Sequence, residues 1–174
     1  VKLHVVPLAN QPTALLCAHF HSLQDALKAN LIALAHQPLV SELMDRYILA
    51  CTKGNLEQNA NRFFVNGDPE AILIVEYAGE DEEAIKKKMA AVEYDMRAQG
   101  LGYDFPVVWA ADKKRVWNLR KAGLGLLSNV PGDEKPVAVI EDTAVAVADL
   151  PNYIAEFNEI LERYKLYAVH YAHA

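Results

Sequence analysis

Hydrophobic positions recur at three- and four-residue spacing in several stretches and run consecutively in others. Leu150, Tyr153, Ile154, Phe157, Ile160, Leu161 and Tyr164 mark the clearest helix, with Asp149 as its cap. Asp81 opens a second, placing Ile85, Met89, Val92 and Met96 inward and Glu82, Glu83, Lys86 and Lys87 outward, and Gly100 and Gly102 end it. Ser22, with Asp25 three positions on, caps a third with the stripe Leu23, Ala26, Leu27, Leu31 and Leu34, closed by Pro38. Asp112 is expected to cap a fourth helix over Arg115–Ala122, with Gly123 past its end. Ser41 is expected to cap a short one that aligns Leu43, Met44, Tyr47, Ile48 and Cys51 on a face.

The continuous apolar runs read as strands. Ala71–Tyr77 follows the turn signal Asn66-Gly67-Asp68-Pro69 and is rich in β-branched residues. Ala14–Phe20 forms another, in a hairpin with Lys2–Leu8 across the Asn10-Gln11-Pro12 turn. Val107–Ala110 is short, Val137–Ile140 ends on Glu141 and Asp142, and Ala168–Ala172 closes the chain. Lys53–Phe63 is polar and reads as a loop. Strands alternating with helices that cover a face indicate an α+β fold of ferredoxin-like βαβ units, with an antiparallel or mixed sheet under helices. A doubly wound nucleotide-binding sheet is the competing architecture. No internal repeat or low-complexity segment is present.

Composition narrows the partners. The 174 residues suit one domain or two small subdomains, and 52% hydrophobic content supports a sizeable core. A net charge of -6 with dispersed lysines and arginines excludes a phosphate-tracking face, so no nucleic-acid partner is expected. No apolar run reaches the roughly 20 residues of a membrane helix, and no signal peptide is expected. Cys17 and Cys51 lie in apolar segments without close spacing, which points to buried free thiols in a reducing, cytoplasmic setting. The chain opens at Val1 and ends on Tyr171-Ala172-His173-Ala174 without a polar tail, as expected of a piece of a longer polypeptide.

Candidate chemistry concentrates between Arg115 and Val147. Gly123-Leu124-Gly125 follows a helix rather than a strand, and Ser128 stands where a third glycine belongs, so it reads as a helix end rather than a dinucleotide loop. Arg120 and Lys121 fall in a last helical turn, where the macrodipole favours cations. Arg120 also has the planar donor fork that suits a carboxylate. Glu141 and Asp142 end an apolar strand, where turn formation and a binding role both remain open. His170 and His173 would share a face of a helix but point to opposite faces of a strand, and two histidines fall short of a zinc ligand set. His19 and His21 face one side of their strand without a carboxylate or cysteine at ligand spacing. His4 and His36 carry no signal, and no Ser-His-Asp or Cys-His arrangement stands out.

Several segments in series carry a resemblance: S-E-L-M-D-R at 41–46, G-D-P-E-A-I-L-I-V-E at 67–76, V-W-N-L-R-K-A-G-L-G at 116–125 and V-A-V-I-E-D-T-A-V at 137–145. With L-P-N-Y-I-A-E-F at 150–157 and V-H-Y-A-H-A at the end, nearly the whole chain resembles the C-terminal half of FAD-linked oxidases. That group contains bacterial glycolate oxidase, D-lactate dehydrogenases and D-2-hydroxyglutarate dehydrogenase. The resemblance implies a flavoprotein in which an N-terminal domain binds FAD and a ferredoxin-like cap covers the flavin and forms much of the substrate pocket. It further implies that some members are fused to an iron–sulfur domain that receives the electrons.

Within that resemblance, Arg120 matches the arginine of the W-x-x-R helix, which pairs with the carboxylate of a 2-hydroxy acid. Glu141 and Asp142 would support the pocket wall. His173 matches the first histidine of an H-x-G-D-G-N-x-H segment that holds a divalent metal, zinc or manganese, and the continuation is absent after Ala174. Ile140 stands where the hydroxyglutarate branch carries a lysine, which directs the expectation toward lactate or glycolate. The flavin-binding glycine loop is missing, so the chain is expected to need the FAD domain of the same polypeptide and to be inactive alone, with no catalytic residue of its own. A homodimer, and a location peripheral to the inner membrane, are further expectations. The rival is a standalone ferredoxin-like module that binds a small effector or dimerises through its sheet.

Overall fold

The computed structural model describes residues 2–5, 11–128, 130, 132–133, 135–138, 140 and 143–174. In chain order the elements are β1 (Thr13–Phe20), α1 (Leu23–Ala35), β2 (Val40–Asp45), α2 (Arg46–Lys53), α3 (Leu56–Ala60) and β3 (Ala71–Ala78). They continue with α4 (Glu82–Ala98), β4 (Val107–Val108), α5 (Asp112–Leu127), a 3-10 turn at Val147–Asp149, α6 (Leu150–Arg163) and β5 (Tyr171–His173).

The strands form one five-stranded sheet in the order β4-β1-β3-β2-β5, every pair antiparallel. Because β3 lies between β1 and β2 and opposes both, β1 and β2 run parallel, which is the split βαβ arrangement of ferredoxin-like folds. The expected α+β sheet under helices is therefore present, with β5 added beyond β2.

Both faces are covered. Leu16, Ala18, Phe20, Leu73 and Val75 point into a core closed by Ala26 and Leu27 of α1, Ile85 to Met96 of α4, and Leu150 and Ile154 of α6. Leu15, Cys17, Met44, Ile72 and Ile74 point the other way, against Ile48 and Leu49 of α2 and Val116, Leu119 and Leu127 of α5. A strand covered on both sides loses the apolar–polar alternation, so β1 and β3 read as unbroken apolar runs. The caps expected at Ser22 and Asp81 are made: Asp25 N–H donates to Ser22 Oγ at 3.0 Å and Ala84 N–H to Asp81 Oδ1 at 2.8 Å.

Several expected elements differ. The segment expected as a helix capped by Ser41 is β2, paired with β3 from Val40↔Glu76 to Asp45↔Ala71. Leucine, methionine and glutamate favour a helix locally, and the long-range backbone pairing overrides them. Asp45 is the true cap, its Oδ1 accepting from Tyr47 and Ile48 N–H at 3.0 and 3.1 Å. The expected loop at Lys53–Phe63 contains α3, capped by Asn55. Helix α5 begins at Asp112, which makes no cap bond, and runs past Gly123 and Gly125 to Leu127. Asp149 likewise precedes α6 without a side-chain cap bond.

Lys2–Val5 join no strand, and Val6–Leu8 lie outside the described residues. Val137, Ala138 and Ile140 also join no strand, with Val137 74% exposed. A short apolar run becomes a strand only where a sheet edge accepts its backbone, and the edge of β2 is taken by β5. β4 stops at Val108, and β5 begins at Tyr171 rather than Ala168.

Candidate functional site

Glu42 sits on β2 among apolar neighbours, and its Cα partners on the flanking strands are Ile74 of β3 and His173 of β5. Residues paired across a ladder share a face, so Glu42 and His173 both lie on the side covered by α2 and α5. Arg120 reaches that position from α5, which Val116 and Leu119 anchor in the second core. Arg120 Nη2 donates to Glu42 Oε2 at 2.6 Å. His173 Nδ1 lies 2.7 Å from Glu42 Oε1. One carboxylate thus joins the two residues singled out in the sequence.

Burial divides the cluster. Glu42 and Arg120 side chains are 9% and 10% exposed, while the His173 side chain is 90% exposed. Pairing is what makes burial of the two charges tolerable. Tyr171, two residues before His173 and therefore on the same face, lies under the guanidinium with its ring centroid 3.7 Å from Cζ. Its hydroxyl donates to the Arg120 carbonyl. Arg120 Nε is buried without a hydrogen-bond partner.

A second ion pair fixes the start of α5. Lys113 Nζ lies 3.1 Å from Glu76 Oε1, which also accepts from Thr13 Oγ1 at 2.7 Å. Lys113 and Arg120 are two helical turns apart, so both face the sheet and pair with carboxylates on adjacent strands, β3 and β2.

Glu141 and Asp142 lie outside the described residues. His170 does not join His173: its Nε2 is 3.1 Å from Asn158 Oδ1 of α6, and its ring meets Phe157 edge-on. Burial holds its pKa below the ordinary histidine value. His19 is fully buried. Its Nδ1 lies 2.8 Å from the Cys17 carbonyl, which only an N–H can satisfy, and its Nε2 accepts from Asn66 N–H at 3.3 Å. Burial lowers its pKa as well, and it is a satisfied core histidine. His21 stacks on Tyr103 at 4.3 Å.

Two concavities, of about 170 and about 360 Å³, lie beside α6. The first is lined by Leu27, Leu43, Phe157 and Tyr171, the second by Asp45, Arg46, Tyr47 and Tyr167. Neither is lined by Glu42, Arg120 or His173, which sit at the β2–β5 edge of the sheet.

The groups that the resemblance implies place different demands on these residues. For a metal, His173 has the right donor: a ring nitrogen left accessible while the other bonds a carboxylate, the usual environment of a metal-bound histidine. Among the described residues no group of three His, Cys, Asp or Glu side chains could hold an ion, so a metal at His173 would need its other ligands from outside them. For FAD, Gly123 and Gly125 are helical and cradle no diphosphate.

Residues 9–174 match the model of the family described as FAD linked oxidases, C-terminal domain. The chain belongs to that family. This FAD-linked oxidase C-terminal domain is 31% identical over 173 residues to a Pseudomonas putida protein named D-2-hydroxyglutarate dehydrogenase, covering 95% of the chain and 17% of that relative. A Haemophilus influenzae protein of the same name is 27% identical over 175 residues, covering 91% of the chain and 16% of the relative. The Escherichia coli protein of that name is 27% identical over 157 residues, covering 84% and 15%. The domain therefore spans about a sixth of the length of the curated relatives it matches. No helix among the described residues is long and apolar enough to cross a membrane.

The residue that sequence reasoning missed is Glu42. Its signal was present: a lone carboxylate in Val40-Ser41-Glu42-Leu43-Met44, facing the same side as Met44 once the segment is a strand.

Proposed function

We propose that this domain is the substrate-facing cap of a larger FAD-dependent oxidoreductase acting on a D-2-hydroxy acid, and that it is catalytically silent alone. The observation that carries the reading is the convergence of Arg120 and His173 on Glu42 beside the β5 edge of the sheet. In this reading Arg120 takes the substrate carboxylate through guanidinium N–H groups other than the Nη2 donor held by Glu42. His173 presents Nε2 toward the hydroxyl side of the same acid, as one ligand of a divalent zinc or manganese ion that would polarise it. FAD, bound by the rest of the polypeptide, would supply the two-electron oxidation of the carbinol carbon. Glu141 and Asp142 belong to the pocket wall in this reading. The length of the relatives leaves room for both an FAD domain and an iron–sulfur domain. The free thiols of Cys17 and Cys51 support a reducing, cytoplasmic setting.

The relatives' name supports D-2-hydroxyglutarate as the first acid to test. Ile140, in place of a second cation, supports a shorter acid such as D-lactate or glycolate. Anaerobic mixing of the full-length flavoprotein with each acid, and with L-lactate as control, is expected to bleach the flavin absorbance with the D-acids or glycolate. The preferred acid is the one with the highest rate over concentration. No bleaching by any of them would overturn the reading in favour of a ferredoxin-like binding module.

A further inference from the structure

We propose that Tyr171 is a positioning residue for acid binding, its ring setting the plane in which Arg120 presents its donors. This rests on the reading of Arg120 as the clamp for the carboxylate of a D-2-hydroxy acid.

Arginine carries its donors in one plane, so the direction of that plane decides whether a carboxylate can meet two of them at once. Glu42 holds the fork through one bond, from Nη2 to Oε2 at 2.6 Å. A single bond leaves the plane free to turn about it. Tyr171 supplies the missing restraint, because its ring centroid lies 3.7 Å from Arg120 Cζ, in van der Waals contact. A carboxylate at one N–H and an aromatic face against the central carbon together fix both position and orientation.

The Tyr171 hydroxyl acts at the other end of the same arginine, where it donates to the Arg120 carbonyl. A carbonyl inside a helix already accepts an intrahelical bond, so the added one places the helix rather than satisfying the carbonyl. Strand β5 is thereby tied to α5 at the residue whose guanidinium it faces.

The ring is itself held. Tyr171 opens β5, a strand of three residues at the sheet edge. Asp45 takes both backbone groups of the residue before it: His170 N–H donates to Oδ2 at 2.6 Å, and Asp45 N–H donates to the His170 carbonyl at 3.2 Å. Past the strand, Ala174 N–H donates to the Ser41 carbonyl at 3.0 Å. On the helix side, Gly123 brings α5 so near that a Cβ there would stand 3.7 Å from Tyr171 Cε2.

The test measures KM and kcat of the full-length protein for the preferred acid. Tyr171→Leu removes the aromatic face and is expected to raise KM about 3- to 30-fold, the worth of a cation over a partly desolvated ring. With binding alone impaired, kcat at saturating acid should change little. Tyr171→Phe keeps the ring and should recover most of the loss. In an Arg120→Lys background Tyr171→Leu should add little, because the planar fork it orients is gone, whereas a purely structural role would multiply the two losses. Tyr171→Met serves as the second variant where Tyr171→Leu does not fold, and failure of both to fold would make the ring a core filler and overturn the inference. An unchanged KM in a folded variant, equal losses in Tyr171→Leu and Tyr171→Phe, or losses that multiply with Arg120→Lys would overturn it too. Flavin reduced by an acid whose KM is indifferent to Tyr171 sinks this inference alone. Wild-type flavin reduced by no 2-hydroxy acid sinks the functional reading beneath it.

Discussion

A Cβ on Gly123 would lie 2.5 Å from Cγ2 of Ile48, closer than carbon atoms approach, so α2 and α5 touch at a position where only glycine fits. That contact sets how near α5 comes to the sheet, and with it the reach of Arg120. Gly123→Ala is expected to cost about 1–3 kcal/mol of stability through overpacking, despite the better helix propensity of alanine. Denaturant unfolding checks this, and an equal or higher midpoint would contradict it.

Arg120→Ala removes the partner of the buried Glu42 carboxylate together with the proposed substrate clamp. Stability should fall by about 3–5 kcal/mol, the cost of an uncompensated buried charge. In the full-length enzyme, kcat/KM for the acid should fall about 10- to 100-fold, the worth of charge-assisted hydrogen bonds to a carboxylate. Arg120→Lys should recover little of that loss, because an ammonium lacks the planar fork and cannot stack on Tyr171. Full activity in the lysine variant would remove the geometric argument.

Burial lowers the pKa of His19 and of His170. A depressed folded-state pKa contributes stability that is complete above the ordinary histidine value of about 6.5 and lost as pH falls through the lowered pKa. His19→Gln should therefore reduce the acid-side slope of unfolding free energy against pH. A slope unchanged from wild type would show that His19 is not the group being protonated.

Asp45 acts in the opposite direction. Burial raises its pKa from 3.8 to about 6, against the pull of N–H bonds from His170, Ile48 and Tyr47. Its contribution is present below pH 3.8 and is lost as pH rises through about 6, on the order of 3 kcal/mol. Asp45→Asn should leave a steeper loss of stability between pH 6 and 4 than the wild type shows, because the opposing group is gone. The comparison is of slopes, since the lost bond to His170 N–H lowers stability at every pH.

Cys17 is fully buried, and burial raises its pKa, whereas Cys51 is half-buried. The folded protein should expose at most one thiol to Ellman's reagent on a timescale of minutes, and both after unfolding. Rapid reaction of Cys17 without denaturant would mean that β1 opens locally.

The elements legible in the chain were those whose signal is local. Helix α4 announces itself through Asp81, its inward stripe and the two glycines after it, and β3 through a β-branched run behind a turn. Segment 40–45 misled because its residues favour a helix in isolation, while its partner strand lies well down the chain. Gly123 misled for a related reason: a glycine after a turn carrying Arg120 and Lys121 resembles a helix end, and only the neighbouring helix shows why it is interior.

From the sequence alone came the α+β class, the family, and Arg120 and His173 as residues of interest, because motif identity and periodicity are properties of consecutive residues. The tertiary structure alone decided that these two meet, and that they meet through Glu42. Helix α5, β2 and β5 are far apart along the chain, and their juxtaposition depends on strand order, ladder register and the closeness of one helix to another. None of these is a local property, so no reading of neighbouring residues reveals them.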